Sequence, residues 1–303
     1  MVQNARMHKH KFATVSAVVL LLISYAAKAQ QLPSAITTDP APDKEYPAAM
    51  EAPDITSHGA RLNSILYLAS GARPHPTVVL LHGFPGNEKN LDLAYSVRRA
   101  GWNVVIPHYR GAWGSGGSFS FANAMEDTQA AIDFLRDPAS VKKYRIDPKK
   151  IVLIGHSMGG FMAVYAGAHD PQVAAVAMIS AWNIGPTMKR PADNGRADNY
   201  KNSSPRLAGT TPEGLMTEVK ENADKWDYVN CAGSLKARPV LILESNDRNV
   251  PDNKAMAEAL RKAGNLKVTE KYIETDHAYS DHRIALQVAV VEWLQSLAVP
   301  PAK

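Results

Sequence analysis

The segment Gly155-His156-Ser157-Met158-Gly159-Gly160 holds the residues best suited to covalent chemistry. It follows the apolar run Ile151 to Ile154 and precedes Phe161 to Ala168, which reads as a helix. Gly-x-Ser-x-Gly between a strand and a helix predicts a sharp turn that leaves the Ser157 hydroxyl projecting from a sheet edge at a helix N-terminus. Glycines flank the serine because the backbone is crowded there. A serine hydroxyl is a weak nucleophile until a neighbouring base takes its proton, so a histidine is needed, with a third group to orient it.

After such a turn the partners come in the order serine, acid, histidine. Of ten histidines only His277 and His282 come after a suitable acid. His277, in Thr275-Asp276-His277-Ala278, stands just past the last strand, where a loop can return over Ser157. His282 reads as the start of the next helix. The acid is Asp247, in Ser245-Asn246-Asp247-Arg248-Asn249-Val250-Pro251 after the strand Val240 to Leu243. Glu244 is placed for a structural role and Asp252 for the N-cap of the next helix. Developing negative charge on a substrate oxygen requires backbone donors. His82-Gly83-Phe84-Pro85-Gly86 ends another strand and offers the Phe84 N–H, since Pro85 has none; the second donor is Met158 N–H, one residue after the serine.

These loops need a sheet to hold them. Buried-strand candidates are Thr77 to Leu81, Asn103 to Pro107, Ile151 to Ile154, Val173 to Ile179, Val240 to Leu243 and Leu266 to Ile273. Helical patterns lie over Asn90 to Ala100, Ala122 to Leu135, Met158 to Ala168, Asn253 to Lys262 and His282 to Leu297. Such alternation predicts a parallel sheet with helices on both faces. Ile55 to His58 and Leu62 to Ala69 read as an antiparallel pair around Gly59. Residues 182–236 interrupt the rhythm: about 55 residues stand where a βα loop takes ~2 to 6, so they are expected to form a cap over the site, with one helix-like run from Pro212 to Val229. The Gly-rich stretch Gly111 to Gly117 lacks a Gly-Lys-Ser/Thr ending and reads as a loop near the pocket rim.

Charge separates the chain in two. The formal net charge of +5 comes from 34 Lys and Arg against 29 Asp and Glu, but Arg6, Lys9, Lys11 and Lys28 all lie in residues 1–29, which hold no acid. The chain after residue 29 is nearly neutral, so the basicity does not signal nucleic-acid binding. Residues 1–29 carry a basic start, the apolar run Phe12 to Ala27 and the small-residue site Ala27-Lys28-Ala29, the pattern of a secretory signal peptide cleaved after Ala29. The run is short of the ~20 apolar residues of a stable membrane span. A periplasmic or secreted protein is expected, with residues 30–45 as a linker and one domain over 46–303. The lone Cys231 reads as a buried side chain. No metal-ligand spacing is present, and no metal or cofactor is expected.

HGFPG at 82–86, GHSMGG at 155–160, SNDRNVP at 245–251 and TDHAYSDHR at 275–283 together resemble an α/β-hydrolase from about Met50 onward. Tyr109-Arg110-Gly111 through Gly117, and Asp147-Pro148-Lys149-Lys150, resemble the catalytic domains of prolyl oligopeptidase and dienelactone-hydrolase-like groups, although the serine departs from the Cys of the dienelactone hydrolases. The resemblance implies a mostly parallel eight-stranded sheet flanked by helices, with a cap insertion. It implies a serine hydrolase acting on carboxylic esters or related acyl bonds of a small molecule through an acyl-Ser157 intermediate. A small exopeptidase or amidase, and a non-catalytic binding protein of the same fold, are the alternatives.

Overall fold

A computed structural model describes residues 31–191 and 194–298; the expected signal peptide lies outside the described residues. The chain divides into Met1–Pro33 and Ser34–Lys303, and the described strands and helices belong to the second unit. Eight strands form one sheet in the order β1 (Ala49–Glu51), β4 (Ser64–Leu68), β6 (Asn103–Pro107), β5 (His75–Leu81), β7 (Ile146–His156), β8 (Ala175–Ile179), β9 (Val240–Glu244) and β10 (Val268–Tyr272). β4 runs antiparallel to both neighbours, and the other pairs, from β6 to β10, are parallel. The eight-stranded, mostly parallel sheet is the one expected.

Both faces are covered, so the central strands are apolar throughout and side chains alternate between two cores. Val79 and Leu81 of β5 join Phe121, Met162 and Leu260, which come from the helices α3 (Phe121–Arg136), α5 (Met158–His169) and α9 (Val250–Lys262). Val78 and Leu80 point the other way, to Leu93 and Val290 of α2 (Leu91–Arg99) and α10 (Arg283–Ala298). A further short helix, α4 (Pro138–Tyr144), begins with Pro138 and is capped by Asp137, whose carboxylate accepts the Ser140 N–H at 2.9 Å. Its seven residues are too few to show a period.

Two expectations need correction. The antiparallel pair divides: β2 (Ile55–Ser57) pairs with β3 (Ala60–Leu62) through a turn with His58 at φ 47° and Gly59 at φ 79°, while Ser64–Leu68 leaves the pair and enters the main sheet. A two-residue hairpin turn with both central residues left-handed is the tight one, and Ile65 is the only residue of β4 not buried, so both of its faces need cover. The linker is also shorter than expected. Residues 34–37 form the helix α1 (Ser34–Thr37), Ala35 is buried in the second core, and the Arg99 Nε–H donates to the Ala35 carbonyl at 2.6 Å. Four residues carry too little periodicity to be read as a docking helix.

The insertion at 182–236 contains α6 (Ile184–Lys189), α7 (Asn194–Ser203) and α8 (Pro212–Glu221). The expected run to Val229 stops at Glu221; Tyr228–Leu235 is a separate 3-10 helix in which Tyr228, Cys231 and Leu235 are buried in the main core. Burial pushes the Cys231 thiol up to about 11, so it is protonated and inert.

β6, β5 and β7 are neighbours, and each ends at the carboxyl edge beside a buried histidine: His108, His82 and His156. Burial pushes their imidazoles down, to about 3, about 4 and about 3 respectively. Folded, they stay neutral; unfolded, each takes a proton near the ordinary histidine pKa of about 6.5. The stability they contribute is therefore complete above that pH and is lost as pH falls from it towards their folded values. The melting temperature should drop steadily between about pH 7 and pH 5, and His108→Gln should flatten that slope; a flat profile in the wild type would contradict the assignment. For α1, a chain starting at Tyr46 should lose about 1–2 kcal/mol in urea unfolding relative to one starting at Gln31. Equal midpoints would mean that α1 contributes nothing.

Candidate active site

Ser157 occupies the turn between β7 and α5 with φ 57° and ψ −120°, a conformation that costs a non-glycine residue about 1–3 kcal/mol. The surroundings hold it there. Its N–H donates to the Ile179 carbonyl at 2.9 Å, and its own carbonyl accepts from Gly160 N–H at 3.0 Å and Trp182 N–H at 2.9 Å. The glycines are required by space, not by dihedral. A Cβ on Gly155 would overlap the Gly159 carbonyl, one on Gly159 would overlap the Leu81 carbonyl, and one on Gly160 would stand 2.5 Å from the Ala181 Cβ. Gly83, from the loop after β5, comes so close that its Cβ would lie 3.0 Å from that of Ser157.

His277 sits in the loop after β10. The His156 Nε2–H donates to the His277 carbonyl at 2.8 Å, and Arg283 donates to the Ala278 carbonyl at 2.8 Å while pairing with Asp92 of α2. Asp247 lies in the loop after β9, and its Oδ2 accepts the His277 Nδ1–H at 2.6 Å. That bond sets the neutral imidazole as the Nδ1–H tautomer and leaves Nε2 as the basic nitrogen. Asp247 Oδ2 also accepts the Ser245 hydroxyl at 3.0 Å, and Oδ1 accepts the Asn249 N–H at 2.7 Å. Burial pushes the Asp247 carboxyl up, but the His277, Asn249 and Ser245 donors outweigh it and hold the group below the usual carboxylate range.

Phe84, Ser157, Asp247 and His277 line one cavity of about 250 Å³, together with Trp182, Asn199, Arg248 and Asn249. Met158, the residue after Ser157, is fully buried. As the first residue of α5, its N–H has no acceptor within the helix. The competing residues lie in other settings. His282 pairs with Asp281 at 2.9 Å, and Glu244 is buried at the end of β9, its carboxyl pushed up by burial. Asp252 is not the N-cap of α9: Asn249 is, and Asp252 stands in the first turn, paired with Arg190 of the insertion. The chain reaches its cap one turn earlier than expected because Val250 and Pro251 already belong to the helix, with proline at its favoured first-turn position.

The insertion meets the site through aromatic rings. The Phe84 ring lies 5.7 Å from Tyr200 and 6.2 Å from Trp182, both in the insertion, and 5.8 Å and 5.5 Å from Phe119 and Phe121. The Gly-rich stretch binds the insertion as well: Ala208 N–H donates to the Gly111 carbonyl at 2.7 Å, and Ala112 bridges to Leu207. Sequence reasoning missed the Trp182, Asn199, Arg248 and Asn249 lining. It also missed Ser180, Ser245 and Tyr279, whose hydroxyls form a line ending at Asp247. A serine two residues before the acid was the one visible sign of that line.

Residues 76–208 match the family profile described as alpha/beta hydrolase fold. The chain is 31% identical over 125 residues to acylamino-acid-releasing enzyme 1 of Oryza sativa subsp. japonica, a stretch covering 36% of this chain. It spans 15% of that enzyme's length and about half that of other curated relatives. Among solved structures, the Pyrococcus furiosus esterase Pf2001 superposes with TM-score 0.59 at 18% identity, over 82% of this chain and 90% of that one. The carboxylesterase EstE1, from a metagenomic library, gives 0.61 at 20% identity, over 84% and 91%. Sheet order, strand-to-helix turn and family match agree: this chain is an α/β-hydrolase-fold protein.

Proposed function

We propose that the protein is a serine hydrolase that cleaves carboxylic esters or related acyl bonds of small molecules. The observation that carries this reading is the 2.6 Å bond between His277 Nδ1 and Asp247, formed by two side chains that share one cavity with Ser157. Ser157 Oγ attacks the substrate carbonyl carbon as His277 Nε2 takes its proton, and Asp247 stabilises the imidazolium. The N–H groups of Phe84 and Met158 receive the oxyanion. His277 then returns the proton to the departing alkoxide, leaving acyl-Ser157, and water activated by the same ring releases the acid. No cofactor takes part in these steps. At about 250 Å³ the cavity lies below the usual range for drug-sized ligands, which favours a small acyl group set against Phe84 and Trp182.

The likeness to acylamino-acid-releasing enzyme 1 favours a second reading, hydrolysis of an acyl-amino-acid amide at the same site. A fluorophosphonate probe should label the wild type and not Ser157→Ala. On aryl esters graded by acyl length, Ser157→Ala should lower kcat by roughly 10⁴ to 10⁶ and Asp247→Asn by roughly 10³ to 10⁴. Equal labelling of wild type and Ser157→Ala would sink the serine mechanism. Turnover of aminoacyl amides without turnover of esters would favour the second reading, and a tight ligand with no turnover would indicate a binding protein.

The reading includes export, with cleavage after Ala29 and a periplasmic or secreted product. Among the described residues no helix is long and apolar enough to cross a membrane. N-terminal sequencing of the exported protein should begin at Gln30; a membrane-bound chain that retains residues 1–29 would overturn it.

A further inference from the structure

Three hydroxyls stand behind the acid. Tyr279 Oη lies 3.0 Å from Ser180 Oγ, Ser180 Oγ lies 2.7 Å from Ser245 Oγ, and Ser245 Oγ lies 3.0 Å from Asp247 Oδ2. All three side chains are fully buried. They come from the ends of β8 and β9 and from the His277 loop, and two of them, Ser180 at φ 43° and Tyr279 at φ 57°, have left-handed backbones. The Asn249 side chain, next but one to the acid, donates to the Ser180 carbonyl at 3.1 Å.

Each hydroxyl has one proton, and this fixes the direction of the line. An ionised carboxylate only accepts, so Ser245 donates to Asp247. Ser180 must then donate to Ser245, and Tyr279 to Ser180. We propose that Tyr279, Ser180 and Ser245 are positioning residues: a one-way hydrogen-bond chain that ends on the same Asp247 oxygen as His277 Nδ1–H and so sets how strongly Asp247 holds the imidazolium. Tyr279 is two residues from His277, so the chain closes a ring from the histidine loop back to the acid. Displacement of the loop disturbs both partners of the Asp247–His277 bond together.

The chain's catalytic role rests on the serine-hydrolase reading, so the test includes a measurement that needs no turnover. The other ionisable groups facing Asp247 and His277 are His156, whose ring is 4.7 Å from that of His277, together with Glu244, Tyr228, Tyr272 and the cavity-lining Arg248. None is altered in the variants. Loss of the Ser245 donor leaves the Asp247 charge less dispersed, so the His277 Nδ1–H bond to the same oxygen tightens. In Ser245→Ala, the His277 Nδ1–H proton resonance should move downfield in nuclear magnetic resonance spectra. Freed from its Ser245 anchor, Asp247 no longer orients the ring for attack, so kcat should fall roughly ten-fold with little change in KM. Tyr279→Phe keeps the ring, guards against misfolding, and should give a smaller shift in the same direction. Because both act through one chain, the double variant should shift little further than Ser245→Ala alone. An unmoved His277 Nδ1–H resonance in Ser245→Ala, or strictly additive shifts, would overturn the proposal even if esters are cleaved. A moved resonance in a protein that cleaves no acyl bond would keep the chain and remove the hydrolase reading.

Discussion

Ser157 is held at φ 57° by backbone crowding, and much of the site depends on that one constraint. Gly155, Gly159 and Gly160 each stand against another carbonyl or side chain, so β7, α5, the end of β5 and Ala181 after β8 meet at a point with no room for a Cβ. A single close approach places the serine, aligns the first turn of α5 beneath it and draws the loop from Gly83 alongside. Strain at one residue is tolerated because a hydrogen bond donated to the Ile179 carbonyl and two accepted from Gly160 and Trp182 determine its position from three directions.

The electrostatics of the site depend on burial as much as on charge. His82, His108 and His156 are kept neutral by desolvation at the ends of three adjacent strands, whereas His277 is half-exposed and bonded to a carboxylate. His156 is the closest link between the two groups: its ring packs on His277 and its Nε2–H fixes the loop carbonyl. A charged His156 would repel the imidazolium needed in the proposed reaction, and its burial prevents that charge.

The insertion is joined to the body rather than laid over it. Phe84 belongs both to the aromatic group that includes Trp182 and Tyr200 and to the cavity wall, so the loop proposed to supply an oxyanion donor is packed by the residues that shape the pocket. Arg190 to Asp252 adds a tie to α9, and Tyr228 to Asn253, at 2.9 Å, adds another. A change in the insertion therefore reaches the backbone of the β5 loop through ring packing.

Sequence by itself determined the parts that are local or periodic. The parallel strands appear as apolar runs, and the turn at Ser157 appears as glycines in fixed positions between a strand and a helix. Asp247 and His277 appear as the acid and the histidine that come after the last two strands, since a parallel sheet brings every such loop to one edge. Only the tertiary structure decided which side chains meet there. Ser180 and Ser245 are 65 residues apart and Ser180 and Tyr279 are 99 apart, so their contacts result from β8 and β9 being neighbours and leave no spacing to read. Asn199 and Trp182 enter the cavity through the path of the insertion, which has no period. Ser64–Leu68 joined the main sheet, and Ser34–Thr37 docked on α2 and α10, because apolar faces elsewhere in the chain were available to cover them, a condition that no local pattern records.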